Sequence, residues 1–309
     1  MTNYLIKRLL LTIPVLLGVA TLVFALIHFI PGDPAQAMLG EGASQEDIAQ
    51  LRVRLGLDRP LVVQYGAFLR GAVRGDLGRS LRNDQPVARQ IVERMPATAQ
   101  LAFASMAVAV LFALPLGIIA AVWRGTAIDF AAMTLSLVGI SIPNFWLGPL
   151  MAIVFAVQLG WLPVGGSGTL AHLVLPSVTL GAALAAILAR MTRASLLEEL
   201  QEPYVLAARA KGVSRSRAVL HHAFRNSLIP IVTILGLQFG VVLTGAVITE
   251  TIFAWPGIGR LAIQAINTRD YPVVQAVVFV VATGFVVINL LVDLLYSYLN
   301  PRIRFASTP

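Results

Sequence analysis

The sequence predicts an all-α, polytopic membrane protein with six transmembrane helices and a helical segment outside the membrane after the first of them. Of its 309 residues, 57% are apolar and only 12% are charged, whereas soluble domains carry about 45–50% apolar and about 25% charged residues. The mean hydropathy is +0.80. Such a chain cannot cover itself with polar surface, which excludes a soluble enzyme and a disordered chain. It has no cysteine, which excludes disulfides and thiolate chemistry.

Stretches without Asp, Glu, Lys or Arg locate the spans, because crossing a bilayer takes about 20 mostly apolar residues. These stretches are Leu9–Gly32, Met95–Trp123, Phe130–Ala189, Asn226–Thr249 and Tyr271–Val292. The third is long enough for two helices and divides at the glycine-rich stretch 160–168. We therefore predict six spans, near residues 8–30, 97–123, 130–158, 172–194, 226–249 and 272–297.

The distribution of Lys and Arg predicts the orientation. With the N-terminus in the cytoplasm, twelve basic residues fall in inner segments and two in the short outer loops. The inner ones are Lys7, Arg8, Arg124, Arg190, Arg193, Arg209, Lys211, Arg215, Arg217, Arg225, Arg302 and Arg304. Both termini are expected inside, and the net charge of +8 is then a sign of topology and not of nucleic-acid binding. Ala35-Gln36-Ala37 resembles a signal-peptide cleavage site, but the apolar run is longer than the 7–15 residues typical of such peptides, which favours a retained first helix.

The segment after the first span is predicted to fold into helices. Ser44 begins a capping-box-like sequence and Gly56 can end that helix. A second helix is expected from Pro60 to near Gly75, and Pro86 can begin a third that leads towards the second span. Two interpretations stay open: a cap that packs on the outer membrane surface, or a docking platform for a soluble partner.

The inner segment Arg190–Arg225 is predicted to form two helices around a glycine. The first runs to Lys211, Gly212 is its C-cap, and Ser214 begins a second that runs to about Arg225. This segment can lie on anionic lipid or enter a protein partner. Its small side chains favour the partner, because they permit close helix approach; they are Ala207, Ala208 and Ala210.

Several chemistries lack their motifs. Neither of the two lysines, Lys7 and Lys211, stands in a phosphate-binding loop, so the chain is not expected to hydrolyse ATP or to be an enzyme. No metal or cofactor site is predicted. Gly165-Gly166-Ser167-Gly168 resembles the Gly-x-Ser-Gly of intramembrane serine proteases, but no histidine follows on a later span to act as the base.

Polar residues near the spans are candidates for the translocation path. Asn144 lies in the middle of an apolar stretch, Glu250 ends the fifth span, and Asp293 is near the inner end of the sixth. Polar groups within a membrane are functional candidates by default. Because the two acidic residues lie near helix ends, anchoring at the membrane interface is the alternative for them.

Five stretches in this order resemble one family over nearly the whole chain. They are Pro31–Pro34, Leu55–Pro60, Gly75–Gly78, Ala208–Gly212 with Arg225–Pro230, and Glu250–Arg260 with Arg269–Gln275. The chain resembles the first-type membrane permease of bacterial dipeptide, oligopeptide and nickel ATP-binding-cassette (ABC) importers. The short link from Gly160 to Ala171 is more similar to glutathione-type permeases than to those with a long insertion.

This resemblance implies a type I ABC importer permease fold in the bacterial inner membrane. The implied divisions are a first transmembrane helix at 1–30, a periplasmic segment at 31–94, a permease domain at 95–297 with a coupling segment at 195–225, and a cytoplasmic tail at 298–309. The implied partners are a second homologous permease, two ABC ATPases, a periplasmic or lipoprotein substrate-binding protein and membrane lipid, without nucleic acid. The implied cargo is a peptide: a dipeptide, an oligopeptide or a glutathione-like molecule.

The same resemblance assigns the cytosolic helix–glycine–helix to coupling with the ATPase. Ala207, Ala208 and Gly212 correspond to the alanines and glycine of the family signature, and the neighbouring motif positions are Tyr204, Arg209 and Lys211. The chain departs from the signature at Leu206 and Pro203, where acidic residues are common in the family. A secondary carrier or channel is the alternative class, and it leaves the long cytosolic segment without a role.

Overall fold

The computed structural model describes residues 2–29, 33–40 and 42–299, and within them the chain is helical, with an isolated antiparallel bridge between Arg79 and Pro86. The α-helices are α1 Thr2–His28, α2 Pro34–Leu39, α3 Gln45–Leu55, α4 Leu61–Arg74, α5 Val87–Val122, α6 Ala127–Ser141, α7 Asn144–Met151, α8 Leu170–Glu199, α9 Pro203–Ala210, α10 Arg215–Arg217, α11 Phe224–Ile252, α12 Ile258–Asn267 and α13 Tyr271–Leu299. Two stretches, Ala152–Gln158 and Ala218–Ala223, are π-helical. Outside the described residues lie Pro31, Gly32, Arg302, Arg304 and nearly all of the predicted tail.

The predicted number of spans is confirmed when the bent third span is counted as one. Five helical stretches are long and apolar enough to cross a membrane: Arg8–His28, Val87–Val122, Leu170–Glu199, Arg215–Leu243 and Tyr271–Leu294. The sixth candidate consists of α6, α7 and the π-helical stretch that follows, with a bend of 101°.

The span predicted near 130–158 is broken in its middle. α6 ends at Ser141, and α7 begins at Asn144. Pro143 causes the break, because its ring disfavours the helical conformation of the preceding residue. Ile142 is accordingly extended, with φ −87° and ψ 115°.

The helix predicted to begin at Pro86 and to lead towards the second span is confirmed: α5 runs unbroken from Val87 to Val122 and includes that span. One boundary differs from the prediction. The helix that begins after Ser214 does not end near Arg225, since it continues through the π-helical stretch into α11. α12, which follows the fifth span, was not predicted.

The chain divides into two compact units, of which the first contains the residues up to Thr98 and Pro256–Leu290. The predicted helix ends in the segment between α1 and α5 are confirmed. The Ser44 hydroxyl accepts the Asp47 N–H at 3.1 Å, and Gly56 and Gly75 end α3 and α4 with positive φ. The apolar core of this part includes Ala35, Met38, Ile48 and Leu51.

A second cluster in the first unit joins the start of α5 to α12 and α13. Its buried residues include Val87, Ile91, Leu261 and Val273. Beside it, the buried carboxylate of Asp270 accepts the Leu81 N–H at 3.1 Å and also bonds to the Ser80 hydroxyl. The loop before α5 is thereby fixed to the start of α13.

The second unit contains Ala99–Trp255 and the chain from Leu291. α8 lies at its centre and packs against α6 and α11. Close backbone approach explains several of its glycines: a Cβ on Gly117 would lie 2.6 Å from the Ala189 carbonyl oxygen, and one on Gly181 would lie 2.7 Å from that of Ser105. Small residues at helix crossings are typical of packing within membranes, where dispersion contacts replace the hydrophobic effect.

Candidate functional site

The segment predicted to be cytosolic, Arg190–Arg225, does contain a helix, a glycine and a second helix, but the first helix is shorter than predicted. α8 ends at Glu199, and α9 begins at Pro203. Proline suits the first position of a helix because its missing N–H is not needed there. α9 ends at Ala210, and Gly212 follows with φ +89°, a left-handed conformation that side chains other than glycine rarely adopt.

One side chain holds α9 against the rest of the second unit. Val205 is completely buried and packs with Ala121, Leu196, Val219 and other residues of one apolar cluster. Val219 belongs to the π-helical stretch that begins the fifth span. α9 therefore packs against a π-helical turn of that span. Such turns inside α-helices occur often at functional sites.

The rest of α9 is mostly exposed and consists of small or flexible side chains. Leu206, Ala207, Arg209 and Ala210 are exposed, as are Lys211 and Gly212 after the helix, whereas Ala208 is half-buried. The predicted coupling residues thus mostly share one accessible surface, which we call the α9 surface: Leu206, Ala207, Arg209, Ala210, Lys211 and Gly212.

Tyr204 differs from the other predicted coupling residues because its hydroxyl is engaged within the chain. The Asn226 amide donates to it at 2.9 Å, and it donates to a carboxylate oxygen of Glu199. The pKa of Tyr204 is raised by burial and by this hydrogen bond, so the hydroxyl remains a donor at neutral pH. Tyr204 therefore connects the end of α8, the start of α9 and the start of α11.

A buried ion pair that the sequence did not reveal lies in the same unit. Arg193 on α8 donates from Nε and Nη2 to the two carboxylate oxygens of Asp129 on α6, at 2.6 and 2.7 Å. The carboxylate also accepts the Gly125 N–H at 2.9 Å. The Asp129 side chain is 6% exposed and that of Arg193 is 27% exposed. Such a bidentate pair fixes the start of α6 against α8.

Arg215 makes a further connection to the second span. Its guanidinium donates to the carbonyl oxygen of Val122, the last residue of α5, at 3.0 Å. A cation at this position satisfies a free carbonyl and complements the helix dipole. The chain that follows Gly212 is thus fixed to α5.

The three candidates for the translocation path lie on three different helices. Asn144 is half-buried at the first position of α7, Asp293 is half-buried on α13, and Glu250 on α11 is completely buried. The complete burial of Glu250 does not fit a side chain that anchors at the lipid interface. Three buried hydroxyls, of Thr179, Thr249 and Thr283, have no hydrogen-bond partner among the described residues, and sequence reasoning missed all three.

The glycine-rich loop resembling a protease motif has a structural explanation. A Cβ on Gly165 would lie 2.4 Å from the Phe253 carbonyl oxygen, and the Gly166 N–H donates to the same oxygen at 2.8 Å. The nearby His172 ring bonds to the hydroxyl of Thr169 at 2.8 Å. The glycines therefore permit this loop to pack on the turn that follows α11.

Sequence reasoning missed Asp129 and Asn226 because both act through distant partners. Asp129 was visible only as one acidic residue in an inner loop, and its partner is separated from it by most of two spans. Asn226 lies in the stretch Arg225–Pro230 that carries part of the family resemblance, but that stretch does not indicate a partner for its amide. The one available signal for Asp129 was an acidic residue in the first turn of a helix, which the helix dipole favours.

The fold and this site define a multi-pass membrane permease, and the comparisons with known proteins specify its family. The family described as "Binding-protein-dependent transport system inner membrane component" matches residues 113–305. The family of the corresponding N-terminal region matches residues 1–102. The chain belongs to this family of inner-membrane components of binding-protein-dependent transport systems.

Curated relatives match the chain along its length. It is 50% identical to the glutathione transport system permease protein GsiC of Pectobacterium atrosepticum over 305 residues, which are 99% of this chain and 100% of that protein. It is 48% identical to the protein of the same name from Escherichia coli strain K12, with the same coverage.

Solved structures share the fold at lower identity. The MetNI methionine ABC transporter in an inward-facing conformation matches with a TM-score of 0.59 and 20% identity, over 68% of this chain and 96% of that one. An amino acid ABC transporter matches with a TM-score of 0.54 and 18% identity, over 68% and 94%. The predicted fold, that of a type I ABC importer permease, is confirmed.

Proposed function

We propose that this chain is one of two related permeases that form the pathway of an ABC importer for small peptides of the glutathione type. Two separate ATPase subunits hydrolyse ATP, and a substrate-binding protein delivers the cargo. The substrate class is supported by the curated relatives, whose names specify glutathione transport. The division of labour is supported by the family description, which makes such a chain one component of a larger system.

The observation that carries the proposal is the α9 surface. α9 is held through the buried Val205 and exposes Ala207 and Ala210, and the exposed Gly212 follows directly after the helix. Small side chains allow a helix to enter a groove of another protein closely, and Arg209 and Lys211 give the same surface positive charge. An ATPase groove with acidic residues at its edge is the complementary partner.

The contacts behind α9 support a route by which its movement reaches the spans. Tyr204 bonds to Glu199 at the end of α8 and to Asn226 at the start of α11. A displacement of α9 therefore acts on two spans at once. For ATP to drive alternating access, the two conformations of the permease must bind the ATPases with different affinity. In this proposal, the three-helix connection transmits the movement of α9 to the spans.

The orientation and divisions of the chain are part of the proposal. Both termini lie in the cytoplasm, with the first helix at 1–30, the periplasmic segment at 31–94, the permease domain at 95–297 and the tail at 298–309. Asn144, Glu250 and Asp293 contribute to the translocation path, and the coupling residues are Tyr204, Ala207, Ala208, Arg209, Lys211 and Gly212.

A bulky substitution on the α9 surface tests the coupling role. In a complex reconstituted with both permeases, the ATPases and the binding protein, Ala207→Trp is expected to abolish glutathione uptake and to reduce co-purification of the ATPases. Ala127→Trp is the matched control, because Ala127 is an exposed alanine at the start of α6. Wild-type uptake by Ala207→Trp contradicts the coupling assignment.

The substrate and the energy source are tested separately in the same vesicles. Uptake of glutathione that requires ATP and the binding protein supports the proposal. Uptake of a dipeptide or a nickel chelate in place of glutathione contradicts only the substrate class. Ion-driven uptake by the permeases without the ATPases contradicts the proposed class of transporter.

A further inference from the structure

Helix α4 belongs to the segment after the first span, and its inner face contacts α1 well inside the apolar run of that span. The hydroxyl of Tyr65 lies 2.7 Å from that of Thr21, and its ring packs edge-on against Phe24, with centroids 5.3 Å apart. Thr21 precedes His28, the last residue of α1, by about two helical turns, or about 10 Å.

A contact between α4 and a second span, α13, gives a similar depth for α4, independently of its contacts with α1. The Phe68 ring of α4 packs against Phe279 of α13, with centroids 5.8 Å apart. α13 begins at Tyr271, so Phe279 lies about 12 Å along that helix. Because Arg8–His28 and Tyr271–Leu294 each qualify as a membrane span, these two contacts place the middle of α4 beside apolar segments and not above them.

The outer face of α4 carries an apolar stripe formed by Val62, Leu69 and Val73. Their spacing of seven and four residues puts them on one side of the helix. Val62 is 82% exposed and Val73 is 89% exposed. None of the three lines the neighbouring cleft of about 580 Å³, which lies against the flank of α4 that includes Val63, Gln64 and Ala67.

The polar side chains of α4 fit a helix with one side in lipid. Gln64 bonds to the His28 ring at 3.2 Å and to the carbonyl oxygen of Arg59 at 2.7 Å, and Tyr65 bonds to Thr21, so these groups have partners within the protein. Arg70 and Arg74 are exposed, and long cationic side chains can keep their charge at the headgroups while their stems remain in apolar surroundings.

We propose that α4 is an interfacial membrane helix whose apolar stripe is immersed in the acyl chains of the leaflet at the His28 end of α1. The depth of about 10 Å agrees with the 5–10 Å to which amphipathic helices enter the boundary between headgroups and acyl chains. Lipid is the occupant because the stripe is apolar and exposed in the same way as Leu22 and Leu26 of α1. Those two leucines face away from the protein in an apolar span. The segment after the first span is then partly a membrane element and not wholly a periplasmic one.

Single-cysteine labelling tests this inference directly, since the chain has no cysteine of its own. Val62→Cys and Val73→Cys are labelled with bimane in the assembled transporter, in nanodiscs of phosphatidylcholine with brominated or ordinary acyl chains. Leu22→Cys on α1 is the lipid control. Val53→Cys on α3, a 66% exposed position between two arginines, is the aqueous control.

The expected result is quenching by brominated lipid at Val62 and Val73 within about twofold of that at Leu22, and quenching by aqueous iodide about threefold weaker than at Val53. Quenching by iodide as strong as at Val53 overturns the proposal, because the stripe is then in water. Protection from both quenchers also overturns it, because a protein partner then covers the stripe. Either result leaves the proposed transport function untouched.

Discussion

Replacing Arg193 by methionine should destabilise the protein by leaving a buried carboxylate without its partner. Arg193 donates to both oxygens of Asp129, whose side chain is 6% exposed. Removing one partner of a buried pair costs about 3–5 kcal/mol. The Gly125 N–H still solvates the carboxylate, and Arg193 itself is partly exposed. These two facts put the expected loss at the lower end, about 3 kcal/mol, or about a hundredfold in the unfolding equilibrium.

The assay is reversible unfolding of the purified permease in mixed micelles, followed by the loss of helical circular dichroism. Arg190→Met is the matched control, because Arg190 is exposed on the same helix, and it should change stability by less than about 0.5 kcal/mol. The double variant Asp129→Asn/Arg193→Met should recover more than half of the loss, because no charge is then left buried. Wild-type stability of Arg193→Met, or a double variant no more stable than Arg193→Met, refutes this reasoning.

Three further predictions concern packing, pH and coupling. Gly117→Ala should separate α5 from α8 and lower the melting temperature clearly, whereas Gly18→Ala, which meets nothing within 4 Å, should not; equal melting temperatures contradict the close approach. Arg52 lowers the pKa of Asp33 through a hydrogen bond at 2.7 Å. The stability that this ion pair contributes is fully present above 3.8, the pKa of Asp33 in the unfolded chain. It is lost as the pH falls through the lowered pKa that Asp33 has in the folded protein. The melting-temperature difference between wild type and Arg52→Met should therefore be constant above about pH 5 and shrink in stronger acid; a difference independent of pH contradicts the assigned pair. Tyr204→Phe keeps the ring but loses the hydroxyl, so ATP hydrolysis should persist while uptake per ATP falls, and unchanged uptake per ATP contradicts the role of Tyr204 as a connector.

The sequence was sufficient for features set by local chemistry. The number of spans follows from apolar length alone, since about 20 residues must cross the hydrocarbon. The ends of α3 and α4 follow from a capping serine and from Gly56 and Gly75, which adopt positive φ at little cost. The exposed surface after α8 was expected from its alanines and from Gly212, whose left-handed φ the structure shows.

The bend in the third span was within reach of the sequence, because Pro143 restricts Ile142. The size of the bend was not predicted, because a proline inside an apolar stretch often only kinks a membrane helix, and neighbouring helices can satisfy the freed backbone groups. The amphipathic α12 was missed for a different reason: its residues lie in a short connection between two spans, where hydropathy predicts a loop.

Tertiary structure alone decided which distant groups meet. Asp129 and Arg193 form their pair only because α6 packs on α8, and Tyr204 becomes a connector only because α8, α9 and α11 converge at its hydroxyl. The depth of α4 likewise depends on contacts with Thr21 and Phe279. Sequence by itself determined which segments are apolar, helical or capped, because those properties depend on residues within a few turns of one another. It did not determine these pairings, because a side chain carries no signal of a partner that only the folded chain brings within hydrogen-bond distance.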